Sequence, residues 1–115
     1  MKIVYVAGPF TAPNAWVREL NVRAAEMMAM EVAKLGAMPL CPHTNTRFFD
    51  GTLADKPEFW YEGTLELLRR CDAVLVIPGW QRSKGVVGEI EEANRIKIPI
   101  FHHLDVLSSW VVETK

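Results

Sequence analysis

The sequence predicts one α/β domain built on a parallel sheet with helices on both faces. Three observations point there. Short apolar runs alternate along the chain with segments of helical period. The runs are continuously apolar, as strands buried on both faces are. Two of them stop on paired glycine and proline, Gly8-Pro9 and Pro78-Gly79, where a chain leaves a sheet. The 115 residues form a single domain, 1–115, since halves of that length would each be too small to bury a core.

Taken in order, residues 3–7 (IVYVA) are β-branched and aromatic and read as the first strand. Residues 15–35 turn helical. Trp16, Leu20, Ala24, Met27, Met28, Glu31 and Leu35 recur three or four apart, apolar except for Glu31, with Arg18, Glu19, Arg23, Glu26 and Lys34 mainly elsewhere on the wheel. Pro13 suits the start and Gly36 the C-terminal cap. Residues 37–41 make a short second strand, and Pro39 predicts an edge position for it. Residues 42–57, with Pro42, His43, Thr44, Asn45, Thr46, Asp50 and Gly51, are the least regular stretch. A loop of that length in a small domain is usually functional or mobile. Helical period returns over 58–70 through Phe59, Leu65 and Leu68. Residues 73–77 (AVLVI) are the clearest strand. A polar loop, 81–84, precedes a helix over 85–96, a fourth strand over 98–101 and a last helix over 104–112. This order, with right-handed crossovers, fits a doubly wound, flavodoxin-like parallel sheet of four or five strands.

Charge and composition exclude several functions. Thirteen basic against fourteen acidic residues leave a net charge of −1, so no basic field marks a nucleic-acid or membrane partner. Cys41 and Cys71 form no CxxC pair, and three histidines without ligand spacing argue against a metal site. Buried free thiols are the simpler reading. No apolar stretch reaches the roughly 18 residues of a membrane span. The opening residues are too short a run for a signal peptide, and a cytoplasmic location without cofactor is expected.

Doubly wound sheets bind ligands beyond the carboxyl ends of their strands, at the switch point. Two loops would meet there: Gly8, Pro9, Phe10 and Thr11 after the first strand, and residues 78–88 after the third. Gly85 and Gly88 would let backbone approach a ligand at a helix start, where free amides and the helix dipole favour an anion. Ser83 adds a hydroxyl and Lys84 a charge. Glu89 falls about one turn into that helix, where the dipole is expected to keep it ionised. An ionised carboxylate facing a cleft can attack an electrophilic carbon. The plainer alternative is that the glycines only permit tight helix–sheet packing and that Glu89 is a solvated first-turn acid. Glu91 and Glu92 read as solvated.

Ser83-x-Gly85-x-x-x-Glu89, followed by Ala93, resembles the signature of the nucleoside 2-deoxyribosyltransferase-like family. That family includes 2′-deoxynucleoside 5′-monophosphate N-hydrolases and small relatives, often phage-encoded. Residues 4–9 (VYVAGP) resemble its first strand and glycine turn, residues 67–74 (LLRRCDAV) the approach to its third strand, and Ile98-Pro99-Ile100 the strand after its catalytic helix. The resemblance implies that Glu89 is the nucleophile at the anomeric carbon of a nucleoside or nucleotide. It implies a retaining double displacement ending in hydrolysis or deoxyribosyl transfer. Tyr5 takes the place of an active-site tyrosine, and Asp72, at the start of a strand, reads as a structural cap. A homodimer or larger homo-oligomer is expected on the same ground.

Within the family, an acidic residue stands at the position of Ser83 in enzymes acting on free nucleosides. Two like charges ~4 Å apart at an effective dielectric of ~20 repel by roughly 4 kcal/mol. Serine removes that penalty for a 5′-phosphate, so the sequence leans toward a nucleoside 5′-monophosphate. The family's base-contacting aspartate is replaced here by Thr64. Glu62, two residues earlier, and His43 are the candidates for its role. Trp80 is a candidate to stack on the base, Phe48 and Phe49 to cover it or to pack on a neighbouring subunit, while Trp16, Trp60 and Trp110 read as core or interface residues. Two further readings stand beside the enzyme: a module of the same fold that binds a nucleotide without cleaving it, and cleavage of another N-riboside such as a dinucleotide's nicotinamide.

Overall fold

A computed structural model describes residues 1–49 and 51–114; Asp50, placed in the irregular stretch, lies outside them. Four strands, β1 (Ile3–Ala7), β2 (Met38–Leu40), β3 (Ala73–Val76) and β4 (Ile100–Phe101), form one parallel sheet in the order β2-β1-β3-β4. The chain moves outward from β1 to β2, then crosses back to β3, so the switch point lies between β1 and β3. This is the doubly wound, flavodoxin-like arrangement, and β2, with Pro39, lies at its edge.

The helices are α1 (Ala15–Lys34), α2 (Pro42–Asn45), α3 (Pro57–Arg69), α4 (Lys84–Ile96) and α5 (Leu104–Glu113), with a 3-10 turn at Trp80–Arg82. They cover both faces because the strand residues alternate. Val4, Val6, Ala73 and Leu75 pack with Ala25, Val32, Leu107 and Val111 from α1 and α5. Tyr5, Ala7, Val74 and Val76 pack with Leu68, Val86 and Ala93 from α3 and α4. Tyr5 therefore points to the α3/α4 face solely by its place in the strand's period of two.

The α1 helix starts on Asn14, whose side-chain oxygen accepts from the Val17 amide at 2.9 Å. Gly36, just past its end, takes φ +91°, the left-handed conformation a glycine adopts without strain. The buried stripe of α1 is only in part the one its large residues predict: Met28 and Leu35 pack half-buried against the core. Val22, Ala25 and Val32 are buried, whereas Trp16 and Met27 are each 65% exposed. Small residues let the helix lie close to the sheet, and Trp16, Leu20, Met27 and Met30 face outward.

Two further elements differ from expectation. The stretch 42–57 opens as a helical turn, α2, closed by bonds from the Thr44 and Asn45 amides to the Cys41 carbonyl; proline at its first position supplies the right φ. Pairing in the fourth strand begins at Ile100, because Pro99 has no amide to donate. Asp72 is a cap as predicted: its carboxylate accepts from the Ile3 amide at 2.8 Å. Cys41 and Cys71 are free and buried. Among the described residues no helix is long and apolar enough to cross a membrane.

Candidate functional site

A cavity of about 900 Å³ lies over the switch point, within the usual range for small-ligand sites, about 300–1,000 Å³. Five elements and their loops supply its walls. From β1 and the following loop come Tyr5, Gly8, Pro9, Phe10 and Thr11, and from α1 comes Arg18. The α2 turn gives His43, α3 gives Trp60, Tyr61 and Thr64, the approach to α4 gives Arg82 and Ser83, and α4 itself gives Lys84, Gly85 and Glu89. Phe49 and residues 51–54 complete one side.

Glu89 is only 9% exposed, one and a half turns into α4 and on its inward face. Burial opposes charge on the carboxyl group and pushes its pKa up to about 7, although a hydrogen bond with Tyr5 pulls the other way. The expectation of a fully ionised carboxylate is thus corrected. Withdrawal from water outweighs the helix dipole, whose effect is typically 0.3–1 kcal/mol (about half a pKa unit) at exposed positions. Tyr5 is nearly fully buried, and its phenol is driven far upward by desolvation and then by the neighbouring Glu89. It stays a neutral donor at any ordinary pH.

Ser83 is the N-cap of α4: its hydroxyl accepts from the Val86 amide at 3.3 Å. The hydroxyl proton is not used in that bond, so the side chain can both cap the helix and donate to a ligand. The Lys84 and Gly85 amides, ahead of the first helical bond, are orphan donors at the same end.

Tyr61 closes this corner from α3. Its hydroxyl donates to the Gly85 carbonyl at 3.3 Å, and a Cβ built on Gly88 would stand 1.9 Å from that hydroxyl oxygen. Gly88 is therefore a place for Tyr61 rather than a direct contact for ligand, and it permits close packing of two helices, not of helix on sheet as the plainer reading had it. We expect Gly88→Ala to swing Tyr61 off α4. The gain in helix propensity, up to about 1 kcal/mol, roughly offsets the lost contacts, so melting should move by only a few degrees. Ligand affinity, measured by titration calorimetry, should fall about tenfold as the wall is displaced.

His43 is 7% exposed. A ring nitrogen, Nε2, lies 2.9 Å from the Pro9 carbonyl. A carbonyl only accepts, so Nε2 carries the proton and Nδ1 the lone pair. Nδ1 has no hydrogen-bond partner among the described residues. Burial pushes the imidazole pKa down, which keeps the ring neutral and makes it a poor proton donor. Packed edge-on against Phe10, it braces the first loop.

Of the residues singled out from sequence, Tyr5, Gly8, Pro9, Phe10, Thr11, His43, Thr64, Ser83, Lys84, Gly85 and Glu89 meet at this cavity. Glu62 and Trp80 do not line it. Glu62 is exposed, while Trp80 packs against the core and lies 5.7 Å, ring to ring, from His102. Helical period explains the first displacement. On α3, Tyr61 and Thr64 are neighbours three apart, and position 62 looks elsewhere. That same spacing was the signal for Tyr61, which sequence reasoning missed. Arg18 and Arg82 are also cavity residues, and Trp60, read as core or interface, joins Phe49 in an aromatic wall, ring centroids 6.0 Å apart.

A family model described as Domain of unknown function (DUF7768) matches residues 2–103. Among curated proteins none matches. Among solved structures, one that matches is a 2-deoxyribosyltransferase from the psychrotolerant bacterium Bacillus psychrosaccharolyticus. Its TM-score is 0.63 at 19% identity, with 85% of this chain and 69% of that chain covered. At that identity the likeness is one of fold.

Proposed function

The chain belongs to the DUF7768 family, and from that premise and the cavity we propose that it cleaves the N-glycosidic bond of a nucleoside 5′-monophosphate through Glu89. The observation that carries this reading is the buried carboxyl group of Glu89, at the wall of a nucleotide-sized cavity that Tyr5 also lines. The 2-deoxyribosyltransferase of like fold supports the choice of a nucleoside substrate.

In the proposed reaction an ionised Glu89 oxygen attacks C1′. The C1′–N bond breaks and its electron pair leaves with the base. The resulting ester is then cleaved at C1′ by water or by a second base, which frees the carboxylate. Tyr5 donates to the carboxylate and orients it. Support for a phosphate comes from the charge of the walls. Arg18, Arg82 and Lys84 line the cavity, and Glu89 is the sole carboxylate among the described lining residues. The Ser83 hydroxyl and the first amides of α4 add neutral donors. The aromatic wall of Phe10, Phe49 and Trp60 suits a base.

The test is a panel of nucleoside 5′-monophosphates and free nucleosides assayed for free base by chromatography. Base should be released from at least one monophosphate, faster than from its nucleoside. A single observation favours the alternative of a binding module: Thr64 spends its hydroxyl on the Tyr61 carbonyl, 2.7 Å away, and is no acid for a departing base. That reading predicts thermal stabilisation by a monophosphate with no base set free.

A further inference from the structure

Residues 46–49 make a four-residue turn at the edge of the cavity. The Phe49 amide donates to the Thr46 carbonyl at 3.1 Å, and both of these end residues line the cavity. Phe48, third in the turn, takes φ +66°, a left-handed conformation that a bulky side chain adopts only under constraint. Burial does not supply that constraint, because Phe48 is 82% and Phe49 49% exposed.

Arg47 supplies it. Its guanidinium reaches α1, where one nitrogen donates to Glu26 at 2.7 Å and another to Glu19 at 2.6 Å, with a second, shorter contact to the other Glu19 oxygen. Glu19 and Glu26 lie two turns apart on one face of that helix, about 10 Å along its axis. A planar fork of donors can bridge two carboxylates at once. These bonds span 28 and 21 residues of chain, so they fix the turn to a rigid element and not to its own neighbours. The Arg47 side chain is 25% exposed, and the centre of the Phe48 ring lies 5.0 Å from its central carbon. The φ of Phe48 thus lays that ring on Arg47 and sends the next residue, Phe49, toward Trp60, ring centroids 6.0 Å apart. Trp60 is fixed separately, since its indole N–H donates to the Thr52 carbonyl at 3.1 Å. Arg47 is not among the described residues that line the cavity, so its charge serves the turn.

We propose that Arg47 is a positioning residue: by clasping the turn to α1 it holds Phe49 against Trp60 and so sets the aromatic wall that takes the base. Without the clasp, Phe48 relaxes to an ordinary φ and Phe49 leaves the wall. The bearing on a base rests on the proposed nucleotide substrate; the hold of Arg47 on Phe49 does not.

The test uses the full chain and has two arms. In the free protein, nuclear Overhauser contacts between the Phe49 and Trp60 rings, assigned with Phe49→Leu and Trp60→Phe, should be present. Arg47→Gln should abolish them while the amide signals of β1 and β3 stay in place. Glu19→Gln combined with Glu26→Gln should do the same with Arg47 intact, and serves instead if Arg47→Gln does not fold. Joining all three changes should add nothing, as one shared interaction requires. Titration calorimetry then compares adenosine 5′-monophosphate with ribose 5-phosphate, which has no base. Arg47→Gln should weaken the nucleotide about tenfold and leave ribose 5-phosphate within about twofold. A general loosening of the fold would weaken both alike. Ring contacts that survive loss of the clasp, or equal weakening of the two ligands, overturn the proposal. If neither ligand binds the unsubstituted protein, the nucleotide reading fails, and the ring contacts still decide whether Arg47 holds Phe49.

Discussion

Glu89→Gln is expected to abolish base release and, in the same molecule, to stabilise the fold at alkaline pH. Both effects follow from one buried carboxyl group. An amide cannot form the glycosyl ester, and loss of a covalent nucleophile lowers turnover by roughly 10³-fold or more. The stability effect follows from proton linkage. The folded-state pKa of Glu89, about 7, lies above the ordinary value of 4.5, so the folded protein holds this proton more tightly than the unfolded chain does. Its contribution is fully present below about pH 4.5 and is lost as pH rises through 7, a change of about 3 kcal/mol. Glutamine stays neutral throughout and can still pair with Tyr5. Denaturant melts at pH 5 and pH 9 should therefore show the variant gaining about 2.5 kcal/mol on the unsubstituted protein between the two, part of the loss having occurred already at pH 5. A solvated first-turn glutamate would give neither result.

The second large effect is on the pH profile of the reaction. Only the ionised form of Glu89 attacks, and with a pKa of about 7 roughly 1% of it is ionised at pH 5. The rate at low substrate should fall tenfold per pH unit below 7 and be about 100-fold below its plateau at pH 5. A nucleophile at the ordinary carboxylate value would hold its rate down to about pH 5. Initial rates of base release between pH 5 and 9, at substrate well below KM, separate the two.

Much of this fold was legible in the sequence because a parallel sheet leaves an unambiguous trace. Residues 3–7 and 73–77 are apolar without alternation since both of their faces are covered, and Gly8-Pro9 and Pro78-Gly79 mark where the ligand loops begin. What failed to show depended on depth. The stripe of Trp16, Leu20 and Met27 looks like a core face by period, yet α1 packs through Val22, Ala25 and Val32. Hydrophobic period ranks residues by size, whereas close helix–sheet contact favours small ones. The short α2 turn was hidden because four residues carry no period to detect.

The site divides in the same way. Glu89, Ser83 and Gly85 stood out by spacing, since the start of a helix fixes the direction of its first turn. Trp80 and Glu62 were chosen by residue type and nearness in sequence, Trp80 in the loop after the third strand and Glu62 two residues before Thr64, and the fold turns both away from the cavity. The ionisation of Glu89 was misjudged because a dipole can be read from position along a helix, while burial depends on what β1 and α3 bring over it. Tyr61 was overlooked for a related reason. Its partner, Gly88, is 27 positions away, and only the packing of α3 on α4 shows why that position has no side chain.

The measurement that bears most directly on the central claim is mass spectrometry of the protein after reaction with a 2′-fluoro-substituted nucleoside 5′-monophosphate. The electron-withdrawing fluorine disfavours the oxocarbenium-like transition states, so an ester formed by the carboxylate persists long enough to be mapped. The account predicts release of one base per chain and one sugar-phosphate adduct on the peptide that contains Glu89. Base released with no adduct, or an adduct on any other residue, would contradict it.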